Sequence, residues 1–232
     1  MPNFAIPFFF FVIILFYLFS MIGNLLILVV VFTNQGLHSP MYLFLCNLSI
    51  LDICFINTTV PKMLQGILPG GKTISLLACF VQSYSFFFVG VSNFFLLAIM
   101  SFDRYVAICH PLHYPAIMHQ KLCIKLIASV LILAFFVILT PSIKIMRLTY
   151  CSNLVNHFFC DVIPLLMNSC ITTTSIQLQE VIASSITLLS SLLVTLISYV
   201  NIVKTILNIP SIEGKKRTFS TCSSHALVVS LA

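Results

Sequence analysis

Five long apolar runs limit what this chain can fold into. They cover about Pro7 to Phe32, Met41 to Gln65, Ala78 to Cys109, Leu122 to Ser142 and Leu178 to Leu207. Each is at least as long as the ~20 residues a helix needs to cross a bilayer. Charged residues make up only 7% of the sequence and hydrophobic residues 60%, against about 25% charged in an average soluble domain. A water-facing surface cannot be built from that stock. The expected fold is therefore all-α, a polytopic transmembrane helix bundle, forming a single domain over residues 1–232.

The connections between the first four runs are short and carry turn residues. Thr33 to Pro40 links the first two runs, Ile67 to Lys72 is a Gly/Pro loop, and His110 to Lys121 follows the third. Pro61 is expected to kink the far end of the second helix. Residues 143–177 are polar, hold three cysteines and are long for a connection, which usually means function. A basic loop, Asn208 to Thr218, precedes a last apolar segment, Phe219 to Ala232. Those residues cover roughly 21 Å as a helix, against a hydrocarbon core of about 30 Å. The segment reads as a partial sixth helix, in a fragment or a truncated product. The N-terminus carries no basic stretch before its apolar run, and the run is too long for a cleavable signal peptide. It reads as the first membrane helix.

The formal net charge of +6 does not point to nucleic acid, because the basic residues sit in loops between apolar helices, where they set orientation. With the N-terminus outside, Arg104, Lys121, Lys125, Lys204, Lys215, Lys216 and Arg217 fall on the inner side, and Lys62, Lys72, Lys144 and Arg147 on the outer side. Cys79, Cys151, Cys160 and Cys170 then all lie outside, where disulfides persist. Four cysteines permit three pairings. A metal reading of Cys151, His157 and Cys160 is weaker in an oxidising compartment, so no metal site is expected. Cys46, Cys54, Cys109, Cys123 and Cys222 read as buried or cytoplasmic thiols with no catalytic role. The sequons Asn47-Leu48-Ser49 and Asn57-Thr58-Thr59 lie within a span, beyond glycosylation. Retention in the endoplasmic reticulum is therefore the alternative to the plasma membrane.

The third run ends in Ser101-Phe102-Asp103-Arg104-Tyr105-Val106-Ala107-Ile108-Cys109-His110-Pro111-Leu112-His113-Tyr114-Pro115. Charges at the edge of an uncharged helix are costly and serve function or topology. Arg104 is a permanent cation. Asp103 lies on an adjacent helix face, and the long arginine side chain makes pairing feasible. A snorkelling arginine that only marks topology is the plainer reading of Arg104 alone. Asp52 is a carboxylate deep in the second span, and such groups are functional by default.

Several phrases in a fixed order carry a resemblance. Gly23-Asn24 sits in the first helix. Leu37-His38-Ser39-Pro40-Met41-Tyr42 opens the second, followed by Asn47-Leu48-Ser49 and Asp52. Then come the Asp103-Arg104-Tyr105 stretch, Ser198-Tyr199 in the fifth helix, and Lys215 through His225, with Phe219-Ser220-Thr221-Cys222-Ser223-Ser224-His225. Together they resemble the olfactory (odorant) receptors, a tetrapod-type class of rhodopsin-like G-protein-coupled receptors. The resemblance covers nearly the whole chain. It implies a seven-helix receptor fold, here with five full spans and a partial sixth. It also implies a small volatile odorant outside, a heterotrimeric G protein of the stimulatory olfactory type inside, membrane lipid around the bundle, and receptor oligomers. By the same resemblance, the Asp103–Arg104 pair holds the resting state, releasing Arg104 helps form the G-protein pocket, Tyr199 meets Arg104 on activation, and Tyr105 belongs to the same coupling site. Disulfides are implied between Cys79 and Cys160 and between Cys151 and Cys170; each is worth about 2–4 kcal/mol. Asp52, with Asn24 nearby, resembles the family's sodium-linked position. The chain departs from the pattern at Asn93, in Gly90-Val91-Ser92-Asn93, where an acid is usual. Cation binding and a protonated or water-bridged structural role for Asp52 both stay open.

A ligand cavity is expected from Ser83, Phe86, Phe87, Gly90, Val91 and Phe94 at helical spacing on the third helix. The fifth helix offers Glu180, Ala183, Ser184 and Thr187. An apolar pocket with a few hydroxyls suits small volatile molecules. Helix-on-helix packing is the plainer reading of any one of these aromatics, and close helix approach that of Gly90 and Ala183. Lys215-Lys216-Arg217 either contacts anionic lipid or the G protein, or only sets topology. The rival functions are a truncated, non-signalling receptor remnant and a transporter or channel. The latter predicts repeated halves and paired intramembrane charges, and neither appears. No nucleophile–base or metal constellation suggests an enzyme.

Overall fold

The computed structural model describes residues 5–37, 39–67, 74–151, 160–208 and 215. His38, Lys72, His157, Lys216, Arg217, Cys222 and the segment 219–232 lie outside them. The helices are α1 (Ala5–Thr33), α2 (Pro40–Ile67), α3 (Leu76–Cys109), α4 (Tyr114–Ile117), α5 (Gln120–Met146), α6 (Val162–Met167) and α7 (Thr174–Leu207). Five of them, α1, α2, α3, α5 and α7, are long and apolar enough to cross a membrane. The described residues contain no strand, only an isolated antiparallel bridge between Tyr150 and Ser169.

Local chemistry sets the ends of α3. The Ser75 side chain accepts the Ala78 N–H at 3.3 Å, satisfying one of the first-turn donors a helix leaves unpaired. At the other end, His110 leaves the helical region with φ −133° and ψ 55°, because the following Pro111 disfavours helical geometry in the residue before it.

The helices overrun the spans expected from hydropathy. α5 continues through Pro141 to Met146, and α7 starts at Thr174. The expected connection 143–177 therefore gives up residues at both ends, and it contains the short helix α6. Hydropathy marks the thickness of the hydrocarbon slab, whereas a helix can continue into water when its polar side chains find partners. Lys144, in the last turn of α5, complements the negative helix end and donates to Gln179 Oε1 of α7 at 2.6 Å. Gln177 donates to Thr173 Oγ1 at 3.2 Å across the first turn of α7. Pro61 likewise lies inside α2, which runs on to Ile67.

α3 is the centre of the bundle. It packs against α2, α5 and α7, while α1 leans on α2. The main core joins Phe44, Leu48 and Leu51 of α2 to Val89, Leu96, Leu97 and Met100 of α3 and Cys123 of α5. On α1, Phe8, Phe11, Phe16 and Phe19 point outward, as the lipid-facing side of a membrane helix does. Lipid is as apolar as leucine, so association rests on close packing and interhelical hydrogen bonds. Ser49, Ser92 and Ser101 are fully buried between the helices. Each neighbour of α3 is also joined to it by a polar contact. Gln82 donates to the Thr58 carbonyl of α2 at 2.7 Å, Tyr84 to the Phe135 carbonyl of α5 at 3.3 Å, and Ser191 of α7 to the Phe94 carbonyl at 2.7 Å.

Phe44 is the largest fully buried side chain in this core. Phe44→Ala should destabilise the bundle by about 3 kcal/mol, in the range for a large core truncation. Thermal unfolding of the purified chain in detergent checks this; an unchanged midpoint would contradict the packing described.

Candidate functional site

The charged end of α3 is the first candidate. Asp103 and Arg104 are both buried, at 1% and 9% exposure. Arg104 Nε donates to Asp103 Oδ2 at 3.1 Å, and Nη2 reaches the same oxygen. The other oxygen, Asp103 Oδ1, accepts from the Tyr114 hydroxyl at 2.9 Å. The carboxylate is thus divided between a cation on its own helix and a phenol on α4. Burial first, then the charge and hydrogen bond of Asp103, push the Tyr114 phenol well above its ordinary range. It therefore stays a donor at neutral pH.

Next to this pair, Tyr105 packs with Ile108 and Tyr199 on the cluster of Ile202 and Ile206. Its hydroxyl lies 3.2 Å from His110 Nε2. Cys109 Sγ lies 3.1 Å from Thr205 Oγ1 of α7, so this end of α3 is closed onto α7.

At mid-bundle, Asn93 Nδ2 donates to Asp52 Oδ1 at 3.0 Å. Asn93 Oδ1 is buried and has no partner among the described residues. Asn24 does not join them. Its amide donates to the Ser20 carbonyl of its own helix at 3.0 Å. The expected trio is therefore a pair. Among the described residues, no three His, Cys, Asp or Glu side chains gather as a metal site requires.

The other end of the bundle is tied by disulfides. Cys79 of α3 is joined to Cys160, and Cys151 to Cys170. Backbone bonds flank the second pair, from Cys151 N–H to the Asn168 carbonyl and from Cys170 N–H to the Thr149 carbonyl, both 2.9 Å. Tyr150 donates to the Ile145 carbonyl at 2.7 Å, and burial raises its phenol above the ordinary value.

Between α3 and α7 lies a cavity of about 250 Å³ lined by Phe55, Phe86, Phe87, Gly90, Val91, Phe94, Ser184, Thr187 and Leu188. It brings together Phe86, Phe87, Gly90, Val91, Phe94, Ser184 and Thr187 from the sequence-based set. Ser83 and Ala183 do not line it. Ser83 turns toward a separate cavity, one helical turn nearer the disulfides, and Ala183 contributes its carbonyl to Thr187 Oγ1 at 2.9 Å. Phe55 and Leu188 were missed. Phe55 is on α2, and it reaches the cavity by packing its ring, tilted, against Phe86 at 4.8 Å between ring centroids.

Comparison with known proteins decides what kind of bundle this is. Residues 23–232 match the family of 7 transmembrane receptors (rhodopsin family). The chain is 44% identical over 216 residues to olfactory receptor 6E1 of Mus musculus, covering 93% of this chain and 69% of that protein. It is 44% identical over 214 residues to human olfactory receptor 6J1, covering 92% of this chain and 62% of that protein. Over all 232 residues it is 40% identical to human olfactory receptor 6C75, of which it covers 74%. The chain belongs to the olfactory receptors of the rhodopsin family. It is a multi-pass membrane protein, and it spans between 62% and 74% of the length of these relatives.

In this receptor, Tyr114 is the residue that sequence reasoning passed over. It sits eleven positions after Asp103, between Pro111 and Pro115. The signal was available, since two prolines fix a turn that folds the loop back under the helix it follows. Tyr114→Phe removes the donor to Asp103 Oδ1 and leaves that oxygen buried. The receptor should lose about 1–3 kcal/mol of stability, measured by thermal unfolding in detergent; a neutral result would remove Tyr114 from the site.

Proposed function

We propose that this chain is an odorant-sensing receptor that binds small volatile molecules between α3 and α7 and activates a heterotrimeric G protein of the stimulatory olfactory type at the Arg104 end. One observation carries the reading: the ~250 Å³ apolar cavity stands on the same helix as the buried Asp103–Arg104 pair, within a chain of olfactory receptor sequence. An apolar lining with one or two hydroxyls suits a compact molecule of low polarity. The Thr187 hydroxyl already donates to Ala183, so it offers a lone pair, and ligands with one O–H donor are favoured.

The disulfide end faces outside, with an extracellular N-terminus in the plasma membrane. The outward apolar faces meet lipid and give a surface for receptor oligomers. In the resting state Asp103 holds Arg104. Ligand can move the equilibrium only by binding the two states with different affinity. In the active state Arg104 leaves Asp103, and Tyr199, one turn before Ile202 on α7, takes its place beside it. Asp52 and Asn93 form a half-buried polar link between α2 and α3.

A cyclic-AMP reporter screen of volatile molecules tests this reading. The chain should respond to some, Arg104→Ala should abolish every response, and Phe94→Ala should shift the half-maximal concentration by tenfold or more. Responses that survive Arg104→Ala intact would sink the role of that residue. Absence of any response from a chain shown to be at the cell surface would favour a non-signalling product.

A further inference from the structure

The seam between α3 and α7 ends in a contact that the odorant reading does not use. Cys109, the last residue of α3, is half-buried and outside both disulfides. Its Sγ lies 3.1 Å from Thr205 Oγ1 and 3.7 Å from the Asn201 carbonyl, both on α7. The proton of the Thr205 hydroxyl is already directed at the Asn201 carbonyl, at 3.0 Å. That hydroxyl offers only lone pairs to α3, so the Cys109 S–H is the donor between the two helices.

α7 is thus tied to α3 at two levels, by Ser191 on the Phe94 carbonyl and by Thr205 on the Cys109 thiol. The two ties are about 21 Å apart along the helix at ~1.5 Å per residue. A swing of α7 by about 10° around Ser191 carries Thr205 roughly 4 Å, farther than a hydrogen bond can stretch. Tyr199 lies between the ties and packs with Tyr105 and Ile108, while Arg104 is held by Asp103. On the receptor reading, on which this inference rests, the inner stretch of α7 must move for Tyr199 to take Arg104. A thiol is a weak donor, so its bond can hold the seam at rest and still give way. We propose that Cys109 is a positioning residue for G-protein coupling: its hydrogen bond to Thr205 holds α7 against α3 in the resting state and breaks on activation.

The test reads nucleotide exchange on a purified heterotrimeric G protein of the stimulatory olfactory type, driven by the full chain in lipid nanodiscs with no ligand added. Cys109→Val keeps the bulk and removes the donor. It should raise exchange about two- to fivefold, the weight of one weak hydrogen bond on an equilibrium. Cys109→Ser keeps a donor and should stay near the unsubstituted chain. A packing role predicts the reverse order, because valine fills the place of the thiol and serine does not. If Cys109→Val fails to fold, judged by thermal unfolding in the nanodisc, Thr205→Val replaces it and should give the same rise. Thr205→Cys tests the geometry apart from signalling. Mild oxidation should join position 205 to Cys109, detected as a linked peptide pair by mass spectrometry, and should stop exchange until the link is reduced. The unsubstituted chain taken through the same oxidation and reduction is the control. The proposal is overturned by the absence of the cross-link, by a cross-linked chain that still drives exchange, or by folded serine and valine variants that behave alike or in reverse order. A cross-link that forms while no variant drives any exchange would overturn the coupling reading itself, and the proposal with it.

Discussion

In a hydrocarbon surrounding, apolar side chains gain little by turning inward, so helices hold together through shape and through polar groups that have nowhere else to go. α3 is where this constraint is met. It carries hydrogen bonds to α2, α5 and α7, each ending on a backbone carbonyl. These carbonyls already belong to helical ladders and lend a spare lone pair. The contacts therefore cost no backbone bond, and they fix the register of each neighbour against α3. The cavities, the half-buried acid–amide pair and the charged end of the helix all take their positions from that register.

The two ends of the bundle solve different problems. At the Arg104 end, a cation and an anion sit side by side with little exposure. The attraction offsets the desolvation of both only because Tyr114 completes the carboxylate. Removing one member leaves the others buried and unmatched, so the three side chains stand or fall together. At the disulfide end, covalent bridges and a short backbone pairing shape a loop whose helix α6 is only six residues long. That helix starts at Asp161, whose carboxylate accepts the Val162 N–H at 2.7 Å.

The fold was largely legible in the sequence, because a hydrocarbon slab imposes length and composition on every span. Helix ends were less legible. Lys144 and Thr174 look like loop residues by hydropathy, yet both are helical, since polar partners let a helix outrun the membrane. Most of the α3 side of the cavity could be read from helical spacing within one element. Phe55 could not, because its place depends on how α2 packs. Asn24 shows the converse: a motif residue that satisfies itself on its own helix does not meet Asp52. Tyr114 was passed over for a third reason: Pro111 and Pro115 mark the turn around it, but its partner Asp103 lies eleven positions back across that turn.

The bridge from Cys79 to Cys160 is at one end of α3, and the closure onto Asp103, Tyr114 and α7 is at the other. A rod pinned at both tips cannot slide or tilt freely. α3 is thus the stator of this molecule. A molecule lodged against its middle can change the shape of the whole only by swinging the other helices about it, and α7, joined to α3 at Ser191 and Thr205, is the neighbour that such a swing would have to strain.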